Sequence, residues 1–208
     1  MRVVLDYGGV LVDHIDEREY AHLLGVSPNQ VPYPGWLAYY LFRAGFLETQ
    51  EQYVDLLSTL TGASEVDCIE YIDRTWLDPE FPEQHREALV EIASQHSLVL
   101  FSNMAKPWVE TVLRRYEVRD LFDSVLVSSE LQRPKPHPRG YHLCTKDADG
   151  EVVMVSDEFN EDLLMARCFG MTTIWLTDDE EQPYQQPDYT IEEFASVGSV
   201  LKEIQQEP

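Results

Sequence analysis

Short apolar segments recur along the chain and predict the strands of a buried sheet. They are RVVLD at 2–6, SLVLFS at 97–102, DSVLVSS at 123–129, EVVMVSD at 151–157 and TTIWL at 172–176. Their apolar residues are nearly continuous instead of alternating with polar ones, which is typical of parallel strands covered on both faces. Between them, apolar residues at spacings of three and four predict helices over PEQHREALVEIASQ, KPWVETVLRRYE and NEDLLMARCFG. This alternation predicts an α/β fold with a Rossmann-like, doubly wound parallel sheet.

The region from about residue 14 to residue 81 carries only helical patterns. Four stretches repeat apolar residues at helical spacing and are separated by Gly and Pro: EREYAHLLG, PGWLAYYLFRAG, TQEQYVDLLSTLTG and SEVDCIEYIDRTW. We therefore divide the chain into a core, residues 1–13 and 82–208, and a helical insertion, residues 14–81. After Leu176 the chain is polar, and the only element predicted there is a short helix near SVGSVLKEIQ.

The net charge of the chain limits the classes of molecule that we expect it to bind. The 208 residues include 38 acidic and 15 basic ones, which gives a net charge of -23 at pH 7. Such a surface repels DNA, RNA and anionic lipid, so we expect no nucleic-acid partner and no membrane partner. Adaptation to high salt and ordinary cytosolic acidity both explain this charge, and the sequence leaves the two open.

The N-terminus and the cysteines favour a cytoplasmic location. The N-terminus shows no basic region ahead of a cleavable apolar stretch, and no segment reaches the roughly 20 apolar residues of a membrane span. The three cysteines lack CxxC spacing, so they predict neither a disulfide framework nor a zinc site. The oligomeric state is not predicted.

Polar residues follow the predicted strands at the edge where an open α/β sheet binds ligands. The first strand ends at Asp6 and the second at Ser102 and Asn103; the third leads into QRPKPHP, which contains Lys135. The fourth strand ends at Asp157 and Glu158, with Asp162 one turn later. Each residue alone is weak evidence, but the ordered set of a carboxylate, a hydroxyl, a lysine and an acidic cluster suits phosphoryl transfer.

Each residue type has a role in that chemistry. Asp6 is the predicted nucleophile, and Mg²⁺ held by Asp6 and the acidic cluster would neutralise the phosphoryl charge. Ser102, with Asn103 and neighbouring backbone N–H groups, would bind phosphoryl oxygens, and Lys135 would supply a fixed positive charge. Gly8 and Gly9 would let the backbone approach the metal and the substrate closely.

These residues resemble the motifs of the haloacid dehalogenase superfamily, whose members are chiefly phosphatases. VVLDYGGVLVD is similar to its first motif, LVLFSNM to its second, KPHPRGY to its third, and VSDEFNEDLLMARCFGM to its fourth. The resemblance covers the whole chain, because a helical cap between the first two motifs is a known arrangement. The chain most resembles the branch of this superfamily that has a small helical cap. That branch includes sugar-phosphate phosphatases and relatives of the N-terminal phosphatase domain of epoxide hydrolases. The resemblance implies a Mg²⁺-dependent hydrolase of a small phosphorylated metabolite.

The resemblance also implies the metal ligands, namely Asp6, the Gly8 backbone and the acids Asp157, Glu158 and Asp162. The fourth motif is irregular, because an ungapped match puts Glu158 at the usual aspartate position and a one-residue gap puts Asp157 there. The choice between the two stays open.

Gly8 departs from the family pattern. Phosphatases of this superfamily usually carry a second aspartate at that position, and such a general acid contributes roughly 10²–10⁴-fold in rate. A substitute acid would come from Asp13 or His14, the nearest candidates in sequence, or the substrate would have a good leaving group. The departure also keeps two other hypotheses open, a metal-free 2-haloacid dehalogenase and a catalytically silent binding or regulatory protein. The aromatic residues of the insertion, among them Tyr39 and Trp76, are interpreted as core.

Overall fold

A six-stranded parallel sheet forms the centre of the computed structural model, which describes residues 1–13, 18–30, 34–178 and 185–206. The strands are β1 Arg2–Leu5, β2 Ser97–Ser102, β3 Ser124–Val127, β4 Val152–Ser156, β5 Thr172–Leu176 and β6 Tyr189–Ile191. Their order is β3-β2-β1-β4-β5-β6, and every neighbouring pair is parallel. The prediction of an α/β fold with a doubly wound parallel sheet is confirmed.

The strand order brings the predicted site residues to one edge. Leu5 of β1 pairs with Leu100 of β2 on one side and with Val155 of β4 on the other. From β1 the chain adds β2 and β3 on one side and then crosses over to add β4, β5 and β6 on the other, so the crevice where the order reverses lies beside Asp6.

Nine α-helices lie within the described residues. They are α1 Pro34–Arg43, α2 Gln50–Thr61, α3 Glu65–Ile72, α4 Glu83–Ala93, α5 Lys106–Arg115, α6 Ser128–Leu131, α7 Pro138–Thr145, α8 Leu164–Cys168 and α9 Val197–Ile204. Single π-helical turns at Asp73–Leu77 and Phe159–Leu163 adjoin α3 and α8. No helix in this part of the chain is long and apolar enough to cross a membrane.

Local sequence signals define two helices between β1 and β2. Thr49 begins α2 with a capping box in which its hydroxyl accepts from the Gln52 N–H and the Gln52 side chain accepts from the Thr49 N–H. Ser64 and Asp67 form the same reciprocal pair at the start of α3. These pairs satisfy N–H groups that a helix start leaves open. Within residues 18–30 and 34–81 the structure contains no strand, as the spacing predicts.

Both faces of the sheet are covered, which explains the continuous apolar segments. In β1, Val3 and Leu5 belong to the larger apolar core and Val4 belongs to a smaller core on the opposite face. The larger core includes side chains from α1, α2, α4, α5 and α9, and the smaller one includes side chains from α7 and α8. Each residue of β1 therefore contacts protein whichever way it points.

The expectation that α9 is the only element after Leu176 is wrong. The strand β6 pairs with β5, and the Asp188 carboxylate just before it accepts hydrogen bonds from the N–H and the hydroxyl of Thr173, at 2.8 and 2.7 Å. Only Ile191 of β6 is buried, so the sequence carries almost no apolar signal for this edge strand. The helix α9 itself is confirmed.

Candidate active site

The loop after β1 presents Asp6 at the crevice. The Asp6 side chain is almost completely buried, and one of its oxygens accepts a hydrogen bond from the N–H of Tyr7 at 2.7 Å. The loop turns back at once, since the N–H groups of Leu11 and Val12 both bond to the Tyr7 carbonyl. Gly9 has a φ of 71°, in the left-handed region that favours glycine. Asp6 is therefore held by a tight and largely backbone-bonded turn.

Lys135 lies between two carboxylates. Its Nζ is 2.9 Å from Asp6 Oδ1 and 2.5 Å from Asp162 Oδ2, and all three side chains are about nine-tenths buried or more. The Ser156 hydroxyl donates to Asp162 Oδ2 at 2.8 Å and lies 3.4 Å from Asp6 Oδ2. Four residues from three separate parts of the chain thus form one buried polar cluster.

Burial and charge act in opposite directions on this cluster. Burial by itself lowers the pKa of Lys135, but the Asp162 and Asp6 carboxylates outweigh it and keep the pKa above its ordinary value. Burial raises the pKa of Asp162 to about 7, against the opposing effect of Lys135. Lys135 therefore carries its positive charge at neutral pH.

The loop that carries Lys135 is attached to the end of β2. The Lys135 N–H donates to Asn103 Oδ1 at 2.6 Å, and Asn103 Nδ2 donates to the Lys135 carbonyl at 3.2 Å. The Phe101 ring lies beneath the lysine, with its centroid 5.4 Å from Nζ. Both ends of the Asn103 amide are occupied in this way, so the side chain orients the lysine.

A cavity of about 280 Å³ opens above these residues. Its lining includes nine of the predicted site residues, which are Asp6, Gly8, Asp13, Ser102, Asn103, Lys135, Asp157, Glu158 and Asp162. Gly9 shapes the turn and is not part of the lining. His14 lies outside the described residues. The volume is near the lower end of the range for ligand pockets and suits a small metabolite.

Sequence reasoning missed several residues of this cavity. Tyr39, Arg43 and Trp76 reach it from the helical segment, and Glu161 and Met104 from the core. The Tyr39 hydroxyl donates to the Asn103 carbonyl at 3.0 Å, and its ring stacks on Trp76 with 4.3 Å between centroids. Trp76 belongs to the larger apolar core and Tyr39 packs against it, as the sequence indicates, and both also line the cavity. Helical periodicity identifies them as inward-facing, but it does not distinguish a packed interior from a cavity wall.

The charge of the cavity favours a bound cation. Six acidic and two cationic side chains line it, so the acidic groups outnumber the cationic ones by four. No group of three or more acidic, histidine or cysteine side chains converges as a metal site within residues 1–13, 18–30, 34–178 and 185–206. Magnesium is commonly held by only one or two carboxylates together with water and substrate phosphate. The donor chemistry of Asp6 and its acidic neighbours thus fits Mg²⁺.

Curated proteins similar in sequence are phosphatases. The chain is 33% identical over 91 residues to a glyceraldehyde 3-phosphate phosphatase of Pyrococcus abyssi. The aligned segment covers 42% of this chain and 37% of the relative. The chain is 30% identical over 115 residues to the Pyrococcus furiosus protein of the same description, covering 50% and 46%. The chain thus spans less than half the length of these curated relatives.

Solved structures share the fold across most of the chain. A haloacid dehalogenase-family enzyme from Bacteroides thetaiotaomicron, solved with magnesium and inorganic phosphate, superposes with a TM-score of 0.71 at 18% identity, covering 86% of this chain and 95% of that one. The L-2-haloacid dehalogenase of Xanthobacter autotrophicus gives a TM-score of 0.68 at 17% identity, covering 97% and 98%. The family model described as haloacid dehalogenase-like hydrolase matches residues 2–170. With the sheet order and the strand-end residues already described, this match shows that the chain belongs to the haloacid dehalogenase-like hydrolases.

Proposed function

We propose that this hydrolase is a Mg²⁺-dependent phosphatase that acts on a small phosphorylated metabolite through an aspartyl-phosphate at Asp6. The observation that carries the proposal is the junction of Asp6, Lys135 and Asp162, with Ser102 and the acids Asp157 and Glu158 around the same cavity. The Pyrococcus relatives, described as phosphatases of a three-carbon sugar phosphate, support this substrate class.

The residues divide the reaction between them. An Asp6 oxygen attacks phosphorus, and the bond from phosphorus to the ester oxygen breaks, so that an aspartyl-phosphate and an alcohol result. Water then attacks the aspartyl-phosphate, which releases inorganic phosphate and regenerates Asp6. Lys135 offsets the charge on Asp6 and keeps its carboxylate oriented, and Ser102 donates to a phosphoryl oxygen. Bound Mg²⁺, held by Asp6, the Gly8 backbone and an acid after β4, would neutralise part of the phosphoryl charge.

The two candidate metal acids after β4 differ in exposure. Asp157 is half-buried and its carbonyl accepts from Trp175 Nε1 at 2.9 Å, whereas the Glu158 side chain is exposed. Asp162 is held by Lys135 and Ser156. This arrangement favours Asp157 as the metal acid and Asp162 as the partner of the lysine.

The proton for the leaving alcohol needs a source other than Gly8. Asp13 is exposed and lines the cavity, so it is the described residue that we propose for this role. Gly8 leaves the usual acid position empty, and we therefore expect substrates with good leaving groups, which need less protonation, to react faster.

Dehalogenation is the second candidate function, because an acid at position 8 is not needed when Asp6 attacks carbon. The charge of the cavity favours the phosphatase instead. A haloacid is an anion, and the excess of acidic over cationic side chains would oppose its binding unless a cation is present.

The test is a screen of phosphorylated metabolites, including glyceraldehyde 3-phosphate, with and without Mg²⁺ and at low and molar salt. Halide release from 2-haloacids is measured in parallel, and an Asp6→Asn variant is the control. We expect Mg²⁺-dependent phosphate release that Asp6→Asn abolishes. Phosphate release no greater than that of the variant under all conditions would overturn the proposal, and metal-free halide release would establish the dehalogenase.

One pair of variants and one pair of substrates test the remaining roles. Asp157→Asn should raise the Mg²⁺ concentration needed for half-maximal rate much more than Glu158→Gln does.

Asp13→Asn should slow hydrolysis of an alkyl phosphate much more than that of an aryl phosphate, because the aryl leaving group needs less protonation. Equal effects within a pair would remove that assignment.

A further inference from the structure

A cationic residue of the helical segment is left unused by the chemistry described so far. Arg43, the last residue of α1, lines the cavity together with Lys135, and no other cationic side chain of the described residues does so. Lys135 is engaged by two carboxylates, whereas Arg43 forms no ion pair with any residue of the described ranges. In a cavity with six carboxylates, an arginine without an acidic partner is available to an anionic ligand.

The position of Arg43 is fixed from three sides. Its backbone carbonyl accepts a hydrogen bond from the Ser128 hydroxyl at 2.6 Å, which ties the end of α1 to α6. One turn earlier, Tyr39 bonds to the Asn103 carbonyl at the end of β2. The Arg43 guanidinium lies over the Tyr39 and Tyr40 rings, at 5.2 and 5.7 Å from their centroids. Aromatic faces orient a guanidinium without neutralising its charge.

Two buried N–H groups of these side chains have no acceptor among the described residues. They are Arg43 Nε and Trp76 Nε1, and neither forms a hydrogen bond within residues 1–13, 18–30, 34–178 and 185–206. Buried N–H groups without an acceptor are costly, and native proteins rarely leave them so. Trp76 is fixed by stacking on Tyr39 and on Trp108, the latter with 5.5 Å between centroids. Arg43 and Trp76 both line the cavity, so an anion bound there is the candidate acceptor for these N–H groups.

We infer that Arg43 and Trp76 form a second anion subsite, which binds a carboxylate or a phosphate on the leaving group of the substrate. This inference rests on the proposed phosphatase function. The transferred phosphoryl group is assigned to the strand-end residues Asp6, Ser102 and Lys135, so the helical segment serves the other end of the molecule. The preferred substrate is then a phosphate ester of a few carbons that carries a second anionic group.

The test compares substrates that differ in the charge of the leaving group and share a primary alcohol. The leaving group of glycerol 1-phosphate is neutral glycerol. The leaving group of 3-phosphoglycerate carries a carboxylate, and that of propane-1,3-diol bisphosphate carries a phosphate. Charged hydrogen bonds of this kind correspond to about 10-fold to 100-fold in affinity. We expect kcat/KM for at least one of the two substrates with an anionic leaving group to exceed that for glycerol 1-phosphate by this factor, and the larger value identifies the anion.

Variants assign the preference to residues. Arg43→Gln should reduce that ratio at least about tenfold, and Trp76→Phe, which keeps the stacking, should reduce it a few fold. Arg114→Gln is the matched control, because it removes one positive charge from an arginine that is 72% exposed on α5. An equal kcat/KM for charged and neutral leaving groups in the wild type, or a ratio unchanged by Arg43→Gln, would overturn the subsite.

Binding measurements separate failure of the subsite from failure of the phosphatase proposal. If no phosphate ester is hydrolysed, calorimetry on the Asp6→Asn variant with Mg²⁺ compares 3-phosphoglycerate, the bisphosphate and glycerol 1-phosphate directly. Tighter binding of an anionic-end compound that disappears with Arg43→Gln in the same background supports the subsite without turnover. Equal binding of all three compounds contradicts it.

Discussion

At the scale of single residues, the buried cluster of Lys135 with Asp6 and Asp162 dominates both chemistry and stability. One cation serves two carboxylates in an interior where an unpaired charge is strongly unfavourable. The Ser156 hydroxyl adds a hydrogen bond to Asp162. The cluster is therefore interdependent, because removal of any member leaves the remaining charges poorly compensated.

Replacement of Lys135 should destabilise the fold severely. We expect Lys135→Met to lower the free energy of unfolding at pH 7 without added metal by about 3–5 kcal/mol, since two carboxylates would stay buried without their cation. Urea denaturation measures the change. Lys202→Met is the control: Lys202 forms an exposed pair with Glu91 at 2.9 Å, and its loss should cost about 0–1 kcal/mol. A Lys135→Met cost as small as that of the control would contradict this account of the cluster.

At the scale of elements, the site depends on close packing between α7 and β2. The Phe101 ring of β2 lies against Lys135, and the tip of the ring approaches Gly140 of α7. A Cβ atom added at Gly140 would lie 2.2 Å from the ring. The glycine is needed here for space, since its φ is not among the positive values found in the chain.

Alanine should therefore act oppositely at two helical glycines. Gly140→Ala should lower the free energy of unfolding by about 1–3 kcal/mol, because the Phe101 ring would have to move. Gly198→Ala in α9, where an added Cβ meets no atom within 4 Å, should raise it by up to about 1 kcal/mol through helix propensity. Thermal unfolding of both variants gives the comparison. Equal changes at the two positions would show that space at Gly140 is not limiting.

At the scale of the whole molecule, the net charge of -23 is the main electrostatic property. Its acidic residues are scattered along the chain, so the folded surface repels itself. The Debye length falls from about 10 Å at 0.1 M salt to about 3 Å at 1 M, which shortens this repulsion. Salt should therefore stabilise the folded state relative to a more expanded unfolded chain.

The unfolding temperature should rise by several degrees between 0.05 and 1 M KCl at pH 7, measured by circular dichroism. Screening has largely acted once the Debye length is short, so the increase should level off above about 0.5 M. A general effect of salt on apolar hydration would instead continue to grow with concentration. A flat response, or a linear rise to several molar, would contradict self-repulsion as the cause.

The sequence by itself determined the sheet core, the order of its chemistry and the charge of the surface. Continuous apolar segments identified five of the six strands, because each strand residue contacts protein on whichever face it points to. The residues that end those strands carried the candidate chemistry, since parallel strands place their carboxyl ends at one edge. The apolar pattern does not predict the edge strand β6, because only Ile191 of its three residues is buried.

Only the tertiary structure decided which distant side chains share the cavity. In the sequence, Ser156 is only a residue at the end of a predicted strand. Its hydrogen bond to Asp162 depends on the path of the chain through the turn at Phe159–Leu163. Arg43, Tyr39 and Trp76 face inward by helical spacing, but the placement of their helices over the sheet makes them cavity wall. Local periodicity encodes which way a side chain points, whereas the residue that it meets depends on long-range packing.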